Sequence, residues 1–460
     1  MVKIFQYDRI IKYQVTATCT EPLHIGNAEG EKGQILVHPA DGIPFVQATS
    51  ISGVFQAYYR KAFGSAETDL LFGKQNLDEK NQDESREGSR IRISDGFLCS
   101  EGAALKMELR PRVKINPRTG TCDSADVQGS NRKSGQKFNM EYIGAGAKIQ
   151  FSVYLYDANK KEMLEDIFRA IQKQQIQFGG QKSNGCGYLE INRVLHKEFY
   201  MKQERDRNLW MREEDLEECA YEDYTVKFSK EAAIDAYKIT VTGRTEGELI
   251  VKSIAVTDCG NDAPDCMNIQ NAKKDYIVPG SSFKGAVRSQ MEMIASYLHN
   301  EEIISDTFGT PKEKGQEGKN GNVRFFDTVI GEQEKNDQNR IRHRIHIDKF
   351  TGGVMHSGLF SEKNAFGNVK FRIEVLNRNY PERTCGLLLL ALRDMAVGML
   401  SVGGGRNVGK GFITIETIMI ESKDGTWAEI TFPDKKINDD SRIIQRCLNA
   451  VRGKEDEFSH

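Results

Sequence analysis

The chain carries the same series of segments twice, in the same order. Arg110 opens RPRVKINPRTG and Arg342 opens RHRIHIDKFTG. Upstream, IPFVQATSISG ends at Gly53 and DYIVPGSSFKG ends at Gly285, and each glycine stands equally far from its arginine segment. Downstream, GGQKSNGCGYLEI from Gly179 aligns without a gap with GGGRNVGKGFITI from Gly403. Three shared blocks in one order indicate an internal duplication, so a fold proposed for one half must also suit the other.

Hydrophobic periodicity supplies that fold. In the first half KYQVTATCT alternates as a strand does, and SISGVFQAYYRKAF has helical spacing with Ser50 or Ser52 placed to cap it. IRISDGFL and KIQFSVYLYD read as strands, EDIFRAIQKQQIQF as a helix, and YLEINRVLH as a closing strand. The second half repeats the order with AYKITVTGR, SSFKGAVRSQMEMIASYL, NVRFFDTVI, VKFRIEVLN, GLLLLALRDMAVGML and FITIETIMI. The predicted class is therefore α+β, as two tandem ferredoxin-like (RRM-like) βαββαβ domains. RVKINPRTG and RIHIDKFTG each alternate before a turn, which predicts a β-hairpin arm inserted in each domain. The expected limits are 1–197 for the first domain with its arm at about 110–140, and 235–425 for the second with its arm at about 342–360. An acidic linker, 198–234, lies between them, and a polar, peripheral tail occupies 426–460.

Composition excludes several alternatives. The formal net charge of the 460 residues is −2, so a polyanion site would have to be a local concentration of Lys and Arg. Nine cysteines without a CxxC argue against a disulfide framework or zinc ribbon, and for a reducing cytoplasmic compartment. The longest apolar run, LLLLAL at 387–392, is too short to span a bilayer, and MVKIFQYDRIIKYQ has no signal core. A soluble protein without a membrane partner is expected.

GRNVGKG after Gly404 nearly spells a phosphate-binding P-loop. Gly411 replaces the magnesium-binding Ser or Thr, and the predicted order is helix, loop, strand rather than strand, loop, helix. What remains is a backbone that phosphates can approach at Gly179, Gly180, Gly185, Gly187, Gly404 and Gly405, with charge from Lys182, Arg406 and Lys410. The alternative is a tight helix-to-strand turn needing glycine for positive φ. Finding the loop twice with basic residues favours RNA backbone contact. Asp95 and Asp327, aligned in RISDGF and RFFDTV, are expected to orient the fold or a neighbouring basic residue.

VPGSSFKGAVRS from Val278, TFGT at 307–310, the RIHIDKFTGG arm and the GGGRNVGKGF loop together resemble the RAMP superfamily. Specifically, the chain looks like two fused backbone subunits of a type III, III-D-like, CRISPR effector complex. The resemblance implies that each domain grips a CRISPR guide RNA along its palm while a hairpin thumb pushes between guide and complementary target RNA. It implies as partners other RAMP subunits and the large polymerase/cyclase-like subunit. The helix-start motif carries over to Ser281, Ser282, Lys284 and Arg288, and in the first half to the hydroxyls of Thr49 and Ser50, without the positive charges. The arms contribute Arg110, Arg112, Arg342, Arg344 and His346.

The resemblance further implies metal-dependent target cleavage by one aspartate upstream of the PGSS motif. An ungapped count places Asp265 there as carboxylate and ligand for a divalent ion, Mg2+ or Mn2+, with Asp262 and Asp258 in the same loop. In the first half the count reaches Lys32, beside Glu31 and Glu29, so that domain is expected not to cut unless Glu31 serves, with Asp41 a weaker candidate. His343, His346 and His356 lack a fourth ligand for zinc and are expected on RNA. Two rivals stay open: a guide-RNA scaffold without activity, and a metal-independent CRISPR repeat-processing endoribonuclease using His24 as general base.

Overall fold

The computed structural model describes residues 7–26, 33–73, 88–99, 107–116, 121–122, 124–126, 133–135, 137–213, 216–228, 235–254, 264–311, 318–332 and 341–452. The chain divides into two compact units. One comprises Met1–Met107, Glu141–Lys182 and Cys186–Ile234; the other comprises Glu108–Met140, Ser183–Gly185 and Asp235–His460. Mixed α and β structure is found in both.

The first unit is built on β1 (Arg9–Cys19), α1 (Ala48–Phe63), β2 (Ile91–Ile93), β3 (Lys148–Leu155), α2 (Lys161–Gln172) and β4 (Leu189–Tyr200). Strand β1 lies between β4 and β3, and β2 pairs with the far side of β3, every pairing antiparallel. The β1 pattern buries Ile11, Tyr13, Val15 and Ala17 on alternate positions, against Ile51, Phe55 and Tyr59 of α1 in one core.

The second unit repeats the plan with β5 (Ala236–Glu246), α3 (Gly280–Tyr297), β6 (Val323–Phe325), β7 (Gly367–Leu376), α4 (Pro381–Ala396) and β8 (Phe412–Glu421). Here β5 lies between β8 and β7, and β6 pairs with β7. Helix α3 buries Phe283, Val287, Met291 and Ala295 at four-residue spacing, a single face turned to the sheet. The duplication extends to detail: the bulge between Thr16 and Ala17 in the first sheet recurs between Thr242 and Gly243 in the second.

Three expectations are corrected. The helix start is not capped by Ser50 or Ser52: α1 begins at Ala48, whose amide donates to Asp95 Oδ1 at 2.6 Å. Asp327 Oδ1 accepts from Gly280 at the start of α3 in the same way, at 2.8 Å, so the two aspartates satisfy helix-terminal amides from a distance. Residues 198–234 are more than a linker. Glu222–Asp223 pair with β4, Phe228 is buried in the first core, and Trp210 packs edge-on to Tyr154 and Phe199. Residues beyond 425 are not peripheral either. Trp427–Thr431 and Lys436–Asn438 extend the second sheet, and α5 (Ile443–Arg452) buries Ile443, Ile444, Cys447 and Val451. Its polar composition reflects a helix with one apolar face, which a scan for apolar runs overlooks.

Candidate nucleic-acid interface and carboxylate

Paired strands lie at both segments where an arm was expected. Met107–Val113 pairs with Lys137–Ile143, and Ile341–Ile347 pairs with Val354–Lys363. The second arm belongs to a four-stranded sheet in which Cys266–Asn268 runs parallel to the arm's return strand, Cys266 opposite Glu362. That pairing sets Asp265 against the base of the arm. Asp265 Oδ2 accepts from the Ser361 amide at 2.6 Å and from its hydroxyl at 3.1 Å. These bonds hold the exposed carboxyl below the ordinary carboxylate range, with a smaller contribution from His343. His343 is the cross-strand partner of Ser361, and Ile345 that of Leu359, so all four share one face of the arm. Ile345 and Leu359 are 55% and 63% exposed, and Phe350 at the tip is 99% exposed.

The opposite face of the arm enters a charge cluster. Glu362, buried, accepts from Lys410 Nζ at 2.7 Å and Lys252 Nζ at 2.8 Å, with Arg344 at 3.6 Å. Glu248 pairs with Arg342 at 2.5 Å and with Lys410 at 3.5 Å, and Asn364 Oδ1 accepts from Lys410 at 2.9 Å. Burial works to raise the Glu362 carboxyl, but hydrogen bonds from Lys252 and Lys410 outweigh it and bring it down to about 2. Lys410 is thus 4% exposed and neutralised by carboxylates, which corrects its expected place on RNA. Arg110 is corrected likewise: in the second unit it is 4% exposed, bonded to Glu108 and 2.6 Å from Asp327 Oδ2.

The Gly-rich loops are the tight helix-to-strand turns that were the alternative reading. Gly179, Gly185, Gly187, Gly405 and Gly411 all have positive φ, and a Cβ at Gly187 would lie 2.0 Å from Phe178 O. Gly180 and Gly404 donate their amides to His24 O and Ile250 O, at 2.9 and 2.8 Å. Lys182 and Arg406 remain exposed, Arg406 Nη2 reaching Met399 O at 3.1 Å.

At the start of α3, Ser281 and Ser282 occupy the first turn. Lys284 Nζ donates to Ser183 Oγ at 2.8 Å, and its ammonium is pushed down to about 8, first by burial and then by Arg288 and Arg112. Arg288 is exposed and pairs with Glu292 at 2.7 Å. A long helix N-terminus with Lys284, Arg288 and Arg112 around it is an electropositive site suited to phosphate. His346 and Thr49 are exposed, and Ser50 is half-buried in the first turn of α1.

A model of the RAMP superfamily matches residues 16–190 and 259–414. The chain belongs to the RAMP superfamily. Among solved structures it is similar to a cryo-EM structure of the Type III-B Cmr-beta bound to cognate target RNA, at 14% identity and a TM-score of 0.30. That alignment covers 41% of this chain and 61% of the other, under two thirds of its length. No curated protein matches the sequence.

For this RAMP protein, Asp262 and Glu31 lie outside the described residues, as do Asp258, Glu29 and Lys32. Among the described residues no three His, Cys, Asp or Glu side chains cluster as a metal cage. Mg2+ is commonly held by one or two carboxylates with phosphates and waters, so a lone exposed Asp265 fits as one ligand beside RNA. His24 is buried, its Nδ1 2.8 Å from Glu141 O, and Gly180 packs over it. A general base needs access to its substrate, which this position denies.

Ser361, Glu362, Glu248 and Lys252 escaped the sequence reading. The bridges Leu23–Ile143 and Leu249–Ala365 align the repeats here, placing Pro22, Met140, Tyr142 and Cys186 opposite Glu248, Glu362, Asn364 and Lys410. Three charged residues and one amide at aligned positions that are mainly apolar in the other copy were the available signal.

Proposed function

We propose that this RAMP protein is the fused tandem backbone subunit of a type III, III-D-like CRISPR effector complex. In this reading both units are ferredoxin-like domains with thumb hairpins that grip guide RNA, alongside other RAMP subunits and the large polymerase/cyclase-like subunit. The second domain cleaves complementary target RNA at Asp265 with a divalent metal, and the first is a non-cutting copy.

The observation that carries this reading is the parallel pairing of Cys266–Asn268 with the arm, which sets Asp265 on the same side as the exposed face of Ile345 and Leu359. A wedge that unstacks a base and a carboxylate beside it are the two requirements for cutting at a displaced nucleotide. A 2′-oxygen brought into line forms the new bond to phosphorus while the bond to the leaving 5′-oxygen breaks. Asp265 stays ionised, Ser361 fixes its Oδ2, and His343 lies beside them. Bound Mg2+ or Mn2+ supplies charge neutralisation at the phosphate, with Asp265 as its protein ligand. On the guide side, Lys284, Arg288 and the α3 N-terminus take phosphate, with Arg112, Lys182 and Arg406 as further contacts.

The test is cleavage of a guide-complementary RNA by the reconstituted complex in magnesium or EDTA, wild type against Asp265→Ala. Loss of one magnesium-dependent product with guide binding intact supports the reading. An unchanged pattern makes the chain a scaffold or moves the carboxylate elsewhere, with Asp262 and Glu31 the next to replace.

A further inference from the structure

The second unit contains two pieces of chain that belong, by sequence, to the first repeat: Glu108–Met140 and Ser183–Gly185. Both sit on one receiving surface. Arg110 reaches Asp327 Oδ2 at 2.6 Å, while Glu108, holding Arg110, accepts from the Ala272 amide at 2.8 Å. Ser183 accepts from Lys284, and Gly185 lies so close that an added Cβ would be 2.7 Å from Phe326 and 2.9 Å from Phe325 O. The receiving group, Asp327, uses one oxygen on the α3 amide and the other on the arginine.

Duplication gives each of these a counterpart. Asp95 stands at the Asp327 position and uses Oδ1 on the Ala48 amide, but among the described residues no Lys or Arg pairs with it. On the giving side, Arg342 stands at the Arg110 position, its side chain 59% exposed and paired within its own unit, to Glu248. Gly409 stands at the Gly185 position with open space where a Cβ would be, next to Val408, 50% exposed. The chain thus holds one completed docking, an acceptor on its first unit with no basic partner among the described residues, and an exposed arginine and glycine turn at the corresponding donor positions of its second. A head-to-tail contact of this kind continues through further subunits unless something closes it.

We propose that Asp95 is the docking acceptor for the arginine of an arm supplied by a neighbouring RAMP subunit, as Asp327 is for Arg110. The occupant follows from charge complementarity with the half-used carboxylate and from the docking already built within the chain. This inference rests on the reading of the chain as an assembly subunit and not on Asp265.

The test uses the tagged full-length chain co-expressed with its companion subunits and guide RNA, and native mass spectrometry of the purified complex. Asp95→Asn keeps an acceptor for the Ala48 amide and removes the charge; Asp95→Arg reverses it. Truncating a hydrogen-bonded charge pair weakens association by roughly thirtyfold or more, so the RAMP subunit next to the first unit should be depleted with Asp95→Asn and lost with Asp95→Arg. In a parallel sample with Asp95 intact, a benzophenone amino acid replaces the exposed Phe97 and should crosslink to an arginine-bearing arm peptide of that subunit. Full occupancy with both Asp95 variants, or a crosslink to RNA or to a protein outside the family, overturns the proposal. If the wild-type chain purifies without any RAMP subunit, the assembly reading falls and takes this inference with it. Cleavage lost with Asp265→Ala while Asp95 variants assemble normally separates the two.

Discussion

Ser361 grips one carboxylate oxygen of Asp265 from two directions, through its amide at 2.6 Å and its hydroxyl at 3.1 Å. Two donors on Oδ2 fix the rotation of the carboxylate and keep it charged. Losing the hydroxyl leaves the carboxylate held by the amide alone, which loosens the reacting geometry and costs roughly tenfold in rate. Ser361→Ala is expected to slow single-turnover cleavage of bound target about tenfold, with half-saturating RNA unchanged. Ser361→Thr, which keeps a hydroxyl, should restore most of it. An Ala variant as fast as wild type would remove Ser361 from the site.

The Glu362 cluster predicts acid sensitivity in the second unit. Its folded carboxyl titrates at about 2 against an ordinary 4.5. A depressed acid contributes stability that is complete above about 4.5 and disappears as pH falls toward 2. Lys252 is 55% exposed, so solvent screening reduces the contribution to about 2 kcal/mol. Glu362→Gln should therefore lower the unfolding midpoint of the second unit at pH 7, and the difference from wild type should shrink between pH 4.5 and 2. Thermal unfolding across that range measures both. Lys410→Met, which removes the buried partner of Glu362 and leaves it Lys252 and Arg344, should destabilise by about 2 kcal/mol at pH 7.

The duplication made most of the fold legible, because periodicity and turn residues agree in both copies and each supports the other's reading. The order of strands and helices follows from local pattern, whereas the groups that satisfy the helix starts, Asp95 and Asp327, lie 47 residues away. Arg110 and Lys410 were misplaced because a basic residue in a Gly-rich or hairpin segment looks the same whether it faces solvent or a buried carboxylate. Asp327 and Glu362 lie 217 and 48 residues from Arg110 and Lys410, and long-range pairing leaves no local trace. The helix Ile443–Arg452 was missed for a related reason: its apolar face is legible only at helical period.

Arg110 separates a buried role from an RNA role by salt dependence. Each phosphate contact steepens the fall of log affinity with log salt by about 0.7 for a single strand. Arg288→Ala should reduce that slope by nearly this amount for guide RNA. Arg110→Ala should leave the slope unchanged and instead destabilise the second unit by about 3 kcal/mol, since Glu108 is left buried and Asp327 half-buried without their partner. Filter binding between 50 and 300 mM salt, together with thermal unfolding, distinguishes these outcomes. A reduced slope for Arg110→Ala would return that residue to the RNA surface.

Lys284 predicts a pH dependence that ordinary lysines cannot give. Burial, then Arg288 and Arg112, bring its ammonium down to about 8 from 10.5. Between those values the unfolded chain holds more protons than the folded one, so stability contributed here rises with pH. Lys284→Met should consequently stabilise the guide-free second unit at pH 7, by an amount that shrinks between pH 8 and 10.5. Guide phosphate acts in the opposite sense by favouring the charged form. Above pH 8 binding must take up a proton, and affinity should fall by up to tenfold per pH unit at constant salt. The Met variant should bind more weakly at pH 7 and lose this slope between pH 8 and 9.5. A wild-type affinity that stays flat over that interval would mean that Lys284 does not meet the RNA.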